Sequence, residues 1–253
     1  MPNLNAHIGM AKEAINRINH PVLDRHIGSC LLGSASPDIR IITKIGREAT
    51  HFAPLTLTSV GEGMAGLFSE YPDLATSSGL TEETRCFIIG YACHLFADEM
   101  WIINMYRPFF GNRSVYRDEL AGNLMDRALQ LELDNREASA LGGLDKLTPL
   151  IDGSSVGVDI GFIESRVLDD WCAWVKEYLG WGFSWDRLRF MARRLNTNND
   201  LEVERRLEKM VDNFLESVLD GTNEIYRMVP VSNIDAFRED CINEVVRFAR
   251  EYL

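Results

Sequence analysis

Two ionisable side chains interrupt the most apolar stretch of this sequence. His94 and Asp98 lie in GYACHLFADEMW, residues 90–101, among aliphatic and aromatic neighbours. With 3.6 residues per turn, a spacing of four places both side chains on one face of a helix, about 6 Å apart along its axis. Such a pair binds one divalent metal ion, or forms a hydrogen bond within the core. The pair alone leaves both alternatives open.

Three residues upstream offer the same ligand chemistry. His7 lies near the N-terminus, Asp38 ends LLGSASPD directly after Pro37, and His51 lies in REATHFAPL. Imidazole nitrogen and carboxylate oxygen are ligands that zinc, iron and manganese accept. The whole candidate set lies before residue 100, and no histidine follows His94. Taken together, the set favours a metal site over a core hydrogen bond.

Helical periodicity dominates the chain, because apolar residues recur at spacings of three and four and few segments alternate as strands do. The sequence therefore predicts an all-α protein. Helices are expected at residues 5–18, 22–33, 59–69, 82–106, 116–138, 162–179, 185–195, 200–220 and 232–252.

Several residues are typical of helix ends. Thr81 and Ser184 are predicted N-caps, Gly221 is predicted to end a helix, and Gly33 is expected to let the chain turn before the Pro-Asp segment. We expect one helical domain, residues 1–253, with a metal-binding half at 1–110 and a packing half at 111–253. The glycine-rich stretch 142–161 is expected to be mostly loop.

The formal net charge of −12, from 38 acidic and 26 basic residues, opposes binding to nucleic acid and to anionic membranes by bulk electrostatics. No basic and apolar leader opens the sequence, so a cytoplasmic location is expected. The five cysteines are scattered and form no CxxC pair, so we expect buried, unpaired thiols: Cys30, Cys86, Cys93, Cys172 and Cys241. The apolar run at 87–103 is expected to be a core helix.

The order and wording of these segments resemble the zinc-dependent phospholipase C family. His7 resembles that family's early histidine, LLGSASPD at 31–38 its Gly…Pro-Asp segment, Thr50 and His51 its Thr-His pair, and GYACHLFADEMW its Gly-Tyr-x-x-His-x-x-x-Asp helix. The resemblance covers about the first 110 residues. It implies a divergent intracellular member, with a single multi-helix domain of the phospholipase C / P1 nuclease type.

The resemblance also implies a site. His51, His94 and Asp98 would hold one metal ion, and His7 would hold a second with Asp98 bridging the two. Asp38 would orient or deprotonate the attacking water, as the catalytic residue or as a further ligand. The cofactor would be one or two zinc ions or another divalent metal, and the substrate a small phosphoester or a phospholipid head group. Contact with a membrane and the oligomeric state stay open.

The later part of the chain departs from the family pattern, which supplies two further histidines and a glutamate. Candidate substitutes are Asp118, Glu119 and Asp126, although a solvated acidic helix face is the alternative interpretation. The second hypothesis for function is therefore a non-catalytic helical scaffold with a residual structural metal site or none. A helical phosphohydrolase of the HD type requires a His-Asp dipeptide, which this sequence lacks.

Three neighbouring residues are expected to be structural. Glu99 lies about 100° from its neighbour Asp98 around a helix, so a surface or salt-bridge position is predicted. His26 has no acidic residue at helical spacing and is predicted to be partly buried. Trp101 is predicted to be a core aromatic residue, with a place in the wall of the site as the alternative.

Overall fold

The computed structural model describes residues 1–112 and 115–253, and these ranges contain helices and no β-strand. The all-α prediction is confirmed. One cluster of buried apolar side chains runs from Leu4 to Tyr252, so the described chain forms a single helical domain. The α-helices are α1 (Leu4–Ile18), α2 (Pro21–Arg25), α3 (Ile27–Ala35), α4 (Arg40–Thr43), α5 (Glu48–His51), α6 (Glu62–Glu70), α7 (Glu82–Met100), α8 (Glu119–Leu141), α9 (Thr148–Ile151), α10 (Ser165–Gly180), α11 (Arg187–Arg193), α12 (Leu201–Glu216), α13 (Val218–Met228) and α14 (Val231–Tyr252). Short 3₁₀ segments occupy Ser36–Ile39, Pro72–Leu74 and Leu144–Leu147, and a π-helical segment occupies Trp101–Phe110.

Helix α7 forms the centre of the molecule. It begins at the predicted N-cap, where the Thr81 side chain accepts the backbone N–H of Thr84 at 3.1 Å. Glu82 and Glu83 in the first turn complement the positive end of the helix dipole. Every residue from Cys86 to Met100 is buried, and α1, α3 and α14 pack around the helix. Polar side chains in this segment are therefore surrounded by protein.

Two glycines allow the backbones of α3 and α7 to touch. A Cβ at Gly90 would overlap the carbonyl oxygen of Cys30, and a Cβ at Gly33 would overlap that of Phe87. Gly33 lies inside α3, so the predicted turn at this residue is wrong, and its small size serves close packing instead. The contact holds the end of α3 against α7 one turn before His94.

The continuous helical stretch Glu82–Phe110 is long and apolar enough to cross a membrane by composition alone. In this structure 94% of its most apolar window is buried within the protein. The stretch is a core helix here, as predicted. Its α-helical part ends at Met100, and the π-helical turns that follow carry Pro108, which cannot donate a backbone hydrogen bond.

Several helix boundaries differ from the prediction. The helix expected at 22–33 is divided at His26, and the helix expected at 200–220 is divided at Ser217. Gly221 lies inside α13, so it ends no helix. Ser184 accepts the backbone N–H of Asp186 at 3.2 Å, but the helix begins two residues later than that cap predicted. The stretch 142–161 contains a 3₁₀ segment and α9 as well as turns.

Helices from the second half of the chain, residues 111–253, pack directly on helices from the first half, residues 1–110. Helix α1 contacts both α8 and α14, and α14 also contacts α7. Ion pairs lie beside this apolar packing: Arg17 on α1 bonds both carboxylate oxygens of Glu239, at 2.6 and 2.9 Å, and Arg238 pairs with Glu137. Helices from both parts of the chain thus hold α1, which carries His7, in place. The five cysteines are free and buried, as predicted.

Candidate metal centre

The structure brings together the five residues that the sequence singled out. His94 and Asp98 come from α7, His7 from α1, His51 from the last position of α5, and Asp38 from the 3₁₀ segment after α3. Ligand atoms of His7, His94 and Asp98 lie within 4.8 Å of one another, as do those of Asp38, His51 and His94. The two groups share His94. Four of the five side chains are buried, and only Asp38 is partly exposed.

Asp98 lies in the middle of the cluster, and its two carboxylate oxygens face different partners. Its Oδ1 lies 3.4 Å from Nε2 of His7. Its Oδ2 lies 3.2 Å from Nε2 of His51, 3.7 Å from Nε2 of His94 and 3.3 Å from a guanidinium nitrogen of Arg47. Three imidazoles and one cation thus surround a single buried carboxylate.

The partner of the outer ring nitrogen determines which nitrogen of the His94 imidazole carries the proton. Nδ1 of His94 lies 2.8 Å from the carbonyl oxygen of Ser34, and Nδ1 of His51 lies 3.2 Å from that of Arg47. A carbonyl oxygen only accepts, so Nδ1 of His94 donates, and that neutral ring keeps its lone pair on Nε2, the atom next to Asp98. This is the arrangement found when a second-shell carbonyl orients a metal-binding histidine. Nδ1 of His51 also lies 3.0 Å from the Thr50 hydroxyl, which can donate or accept, so its partners fit either tautomer.

The nitrogen and oxygen atoms that the histidines and Asp98 turn toward one another form no hydrogen bonds among themselves. Nε2 of His51 and of His94, both nitrogens of His7 and Oδ1 of Asp98 are buried and have no hydrogen-bond partner. Ligands on one tetrahedral zinc ion, at bond lengths of 2.0–2.2 Å, lie about 3.3–3.5 Å apart. The N···O distances of 3.2, 3.4 and 3.7 Å bracket that spacing.

The protonation states suit metal binding. Burial, reinforced by the nearby imidazole of His7, lowers the pKa of His94 well below its usual value. Burial alone would raise the pKa of Asp98, but the three surrounding histidines outweigh it and hold that pKa well below its usual range. At neutral pH the centre therefore presents a neutral imidazole and an ionised carboxylate. These are the forms that coordinate metal.

The rings of His7 and His94 are stacked, with centroids 3.7 Å apart and planes 12° from parallel. Nearly parallel rings hold their in-plane lone pairs in two nearly parallel planes, and one ion cannot lie in both, so the two rings suit two neighbouring ions better than one shared ion. His51 meets His94 edge-on, with centroids 5.3 Å apart and planes at 73°, which suits convergence on a common ion. The ring geometry thus divides His7 from the other two histidines.

Asp38 differs from the other four residues in its exposure. The 3₁₀ turn behind Pro37 holds it at the edge of the cluster, where its side chain remains partly accessible. Desolvation by the surrounding protein nevertheless raises the pKa of this carboxyl, partly opposed by His51. A partly accessible carboxyl with a raised pKa is suited to accept a proton from a reacting group.

Three groups that support the ligands were not predicted from the sequence: the Arg47 side chain, the Ser34 carbonyl and the Asp134 carboxylate. Arg47 lies four residues before His51, which is the helical spacing and therefore a signal that could have indicated it. The Ser34 carbonyl that orients His94 is a backbone group, and only the packing of α3 on α7 reveals it. Asp134 accepts the backbone N–H of Ala6 at 3.1 Å and so caps the start of α1 from another helix.

The remaining sequence candidates lie elsewhere. Glu99 is buried and accepts the backbone N–H groups of Gly61 at 2.5 Å and Gly63 at 2.6 Å, so its predicted surface position is wrong. The cause is that α7 is buried on all sides and has no exposed face. His26 is partly buried, as predicted, and its Nε2 lies 3.1 Å from a carboxylate oxygen of Glu82.

Two of the acidic residues considered as substitutes for the family's later ligands, Asp126 and Asp118, have structural partners. Asp126 is buried, but its oxygens accept hydrogen bonds from Trp101 Nε1 at 2.9 Å and from Gln130 at 2.7 Å, so it is neither solvated nor a member of either ligand group. Asp118 caps α8 and pairs with Arg206. Trp101 is a fully buried core residue. Within the described ranges, every member of the two ligand groups lies at or before Asp98 in the sequence.

Comparisons of the chain with protein-family models, with curated proteins and with solved structures found no match. The site therefore has to be interpreted from its own geometry.

Proposed function

We propose that this chain is a metal-dependent phosphoester hydrolase that resembles the zinc-dependent phospholipase C family in fold and site. One observation carries the proposal: Nε2 of His51 and Nε2 of His94 lie 3.2 and 3.7 Å from the same buried carboxylate oxygen of Asp98, and neither nitrogen has a hydrogen-bond partner. A divalent cation held by these three atoms would meet ligand spacings suited to zinc. A bound metal would supply a water of lowered pKa and positive charge beside a phosphoester oxygen.

Each residue of the centre would have a separate role. His51, His94 and Asp98 Oδ2 would hold one ion, and His7 with Asp98 Oδ1 would hold a second, in agreement with the ring geometry. Asp38 would hold the attacking water at the accessible edge of the centre and accept its proton, a role that its raised pKa supports. The Ser34 carbonyl would keep His94 in the tautomer that binds.

The experiment that tests the proposal combines metal content with turnover. Purified protein should carry about one to two equivalents of zinc by elemental analysis and should hydrolyse a chromogenic phosphodiester. His94→Ala should lose zinc and turnover, because that imidazole is one of the three ligands proposed for the first ion. His26→Ala is the matched control, since this histidine pairs with Glu82 away from the centre. Absence of metal after zinc loading would overturn the proposal.

A second candidate function is a non-catalytic helical scaffold with a structural metal ion or none. The observation that favours it is that neither ligand group in the described ranges includes a residue beyond Asp98. Stoichiometric zinc without turnover of phosphodiesters and phosphomonoesters, under zinc, manganese and iron in turn, would support the scaffold over the enzyme. A metal-free protein with an unchanged melting temperature in chelator would support the scaffold without a metal.

A further inference from the structure

The guanidinium of Arg47 reaches the metal centre but is only partly bonded there. Its Nη1 donates to the carbonyl oxygen of Ala53 at 3.0 Å, and its Nη2 donates to Oδ2 of Asp98 at 3.3 Å and lies 3.4 Å from the sulfur of Met1. Its Nε is buried and has no hydrogen-bond partner. A buried donor without a partner costs free energy, and this cost is higher for a charged group.

The position of Arg47 is fixed by the same element that carries His51. The carbonyl oxygen of Arg47 accepts the backbone N–H of His51 at 2.9 Å and the Thr50 hydroxyl at 3.1 Å, and it lies 3.2 Å from Nδ1 of His51. The Arg47 side chain is 13% exposed, so it lies at the border between the buried ligands and solvent. Its backbone thus orients a ligand while its side chain faces the same centre.

The charges of the centre favour an anion. The ligand set contributes two carboxylates, Asp38 and Asp98, and three imidazoles that are uncharged when they coordinate metal. Arg47 together with one divalent ion already outweighs both carboxylates, and a second ion increases the excess. The chain as a whole carries a net charge of −12, so this local positive charge depends on these few groups. A bound oxyanion would balance it.

We infer that Arg47 is a substrate-binding residue, whose guanidinium holds an anionic oxygen of a phosphate-type group beside the metal centre. The inference rests on the proposed function and names the residue that would recognise the phosphoryl charge. The planar fork of arginine matches the paired oxygens of a phosphate, and its Nε–H is the donor that has no protein partner. The competing role is structural, with Arg47 serving only as the counter-ion of Asp98.

The test uses inorganic phosphate as the probe. Wild-type protein and Arg47→Gln are loaded with zinc, freed of excess metal, analysed for metal content and titrated with phosphate by calorimetry. We expect Arg47→Gln to retain its zinc and to bind phosphate at least tenfold more weakly. Arg25→Gln, which removes an exposed arginine paired with Glu82, should bind phosphate as the wild type does.

The outcomes separate the inference from the proposed function. Wild-type protein that takes up no zinc contradicts the proposed function, and this result is read before phosphate is added. Equal phosphate affinity in Arg47→Gln and wild type, or a zinc-loaded wild type that binds no phosphate, overturns the role of Arg47 while the metal site stands. Loss of zinc in Arg47→Gln assigns the counter-ion role instead and also overturns it.

A conservative variant covers the case in which Arg47→Gln does not fold. Arg47→Lys keeps the positive charge and loses the fork and the Nε donor. We expect it to melt near the wild-type temperature, keep its zinc and bind phosphate about three- to tenfold more weakly. Phosphate affinity equal to that of the wild type in Arg47→Lys would show that charge alone suffices and would contradict the donor role of Nε.

Discussion

The imidazole of His7 stacks on that of His94 at a centroid distance of 3.7 Å, although the two residues come from different helices 87 positions apart. Stacked rings cannot easily direct both Nε2 atoms at one ion. They can serve two ions about 3.5–4 Å apart, the separation typical of two-metal hydrolytic sites. Asp98 turns one oxygen toward His7 and the other toward His94, so this carboxylate would bridge the two proposed ions.

This relationship predicts unequal effects of two histidine substitutions. His7→Ala should lower the zinc content from two equivalents to one, because His51, His94 and Asp98 Oδ2 remain. His94→Ala leaves neither ion with more than two of these ligands, so it should lower the zinc content further, to less than one equivalent. Elemental analysis after zinc loading and desalting measures the difference. Equal zinc content in His7→Ala and wild type would show that His7 is no ligand, and the stack would then be a packing contact.

Asp38→Asn should separate proton transfer from metal binding. The variant keeps the size of the side chain but cannot accept a proton, so we expect zinc content to be retained and phosphodiester turnover to fall about 100-fold or more. Asp118→Asn is the matched control, because this residue caps α8 and pairs with Arg206 away from the centre. Loss of zinc in Asp38→Asn would make Asp38 a ligand rather than the base.

The contact between α3 and α7 should be sensitive to a single methyl group. Gly90→Ala places a Cβ on the carbonyl oxygen of Cys30, so the helices must separate, at a cost of about 2 kcal/mol or more in the free energy of unfolding. Separation also moves the Ser34 carbonyl away from His94, so zinc affinity should fall as well.

Chemical denaturation of the metal-free protein and zinc titration measure these two effects of Gly90→Ala separately. Gly180→Ala is the control, because its Cβ would meet nothing within 4 Å and alanine favours a helix. An unfolding free energy for Gly90→Ala equal to that of the wild type would show that the helices accommodate the methyl group.

The sequence predicted the part of the fold that local patterns determine. Helix α7 and its cap at Thr81 follow from apolar periodicity and from a side chain that bonds its own helix. No glycine or proline marks the helix breaks at His26 and Ser217, so the apolar periodicity predicted one continuous helix across each of them. Glu99 was misplaced because a helical wheel assumes one exposed face, whereas α7 has none.

The candidate site could be anticipated only where the ligand is a side chain of recognisable chemistry. His94 and Asp98 lie four apart on one helix, whereas His7, Asp38 and His51 were indicated by their ligand chemistry alone, and the resemblance to a family implied their separate roles. The groups that orient these ligands are backbone carbonyls and carboxylates from distant helices. No sequence pattern marks them, because tertiary packing alone brings them near.

Asp134 is such a distant group, and it makes the stability of the fold depend on pH. Its buried carboxylate accepts the N–H of Ala6 at 3.1 Å and the side-chain amide of Asn3 at 3.1 Å, at the start of the helix that carries His7. Burial raises its pKa to about 7, opposed by these two hydrogen bonds and by Arg187. The folded state therefore binds this proton more tightly than the unfolded state does.

The sign of the effect follows from that difference. A carboxyl whose pKa is raised on folding costs stability as it ionises, so its contribution falls as the pH rises from about 4 to about 7. Asp134→Asn removes the ionisation and keeps an oxygen for the N–H of Ala6. Between pH 5 and pH 8 the variant should therefore gain on the order of 2 kcal/mol in unfolding free energy relative to the wild type.

Urea denaturation of metal-free protein at pH 5 and pH 8 measures the gain in Asp134→Asn. The control is Asp73→Asn, which alters an exposed carboxyl and should shift stability equally at both pH values. A difference in unfolding free energy between Asp134→Asn and the wild type that is the same at pH 5 and pH 8 would contradict the raised pKa and would show that Asp134 stays ionised throughout. The first turn of α1 would then stabilise this charge, and Asp134→Asn would lower stability equally at both pH values.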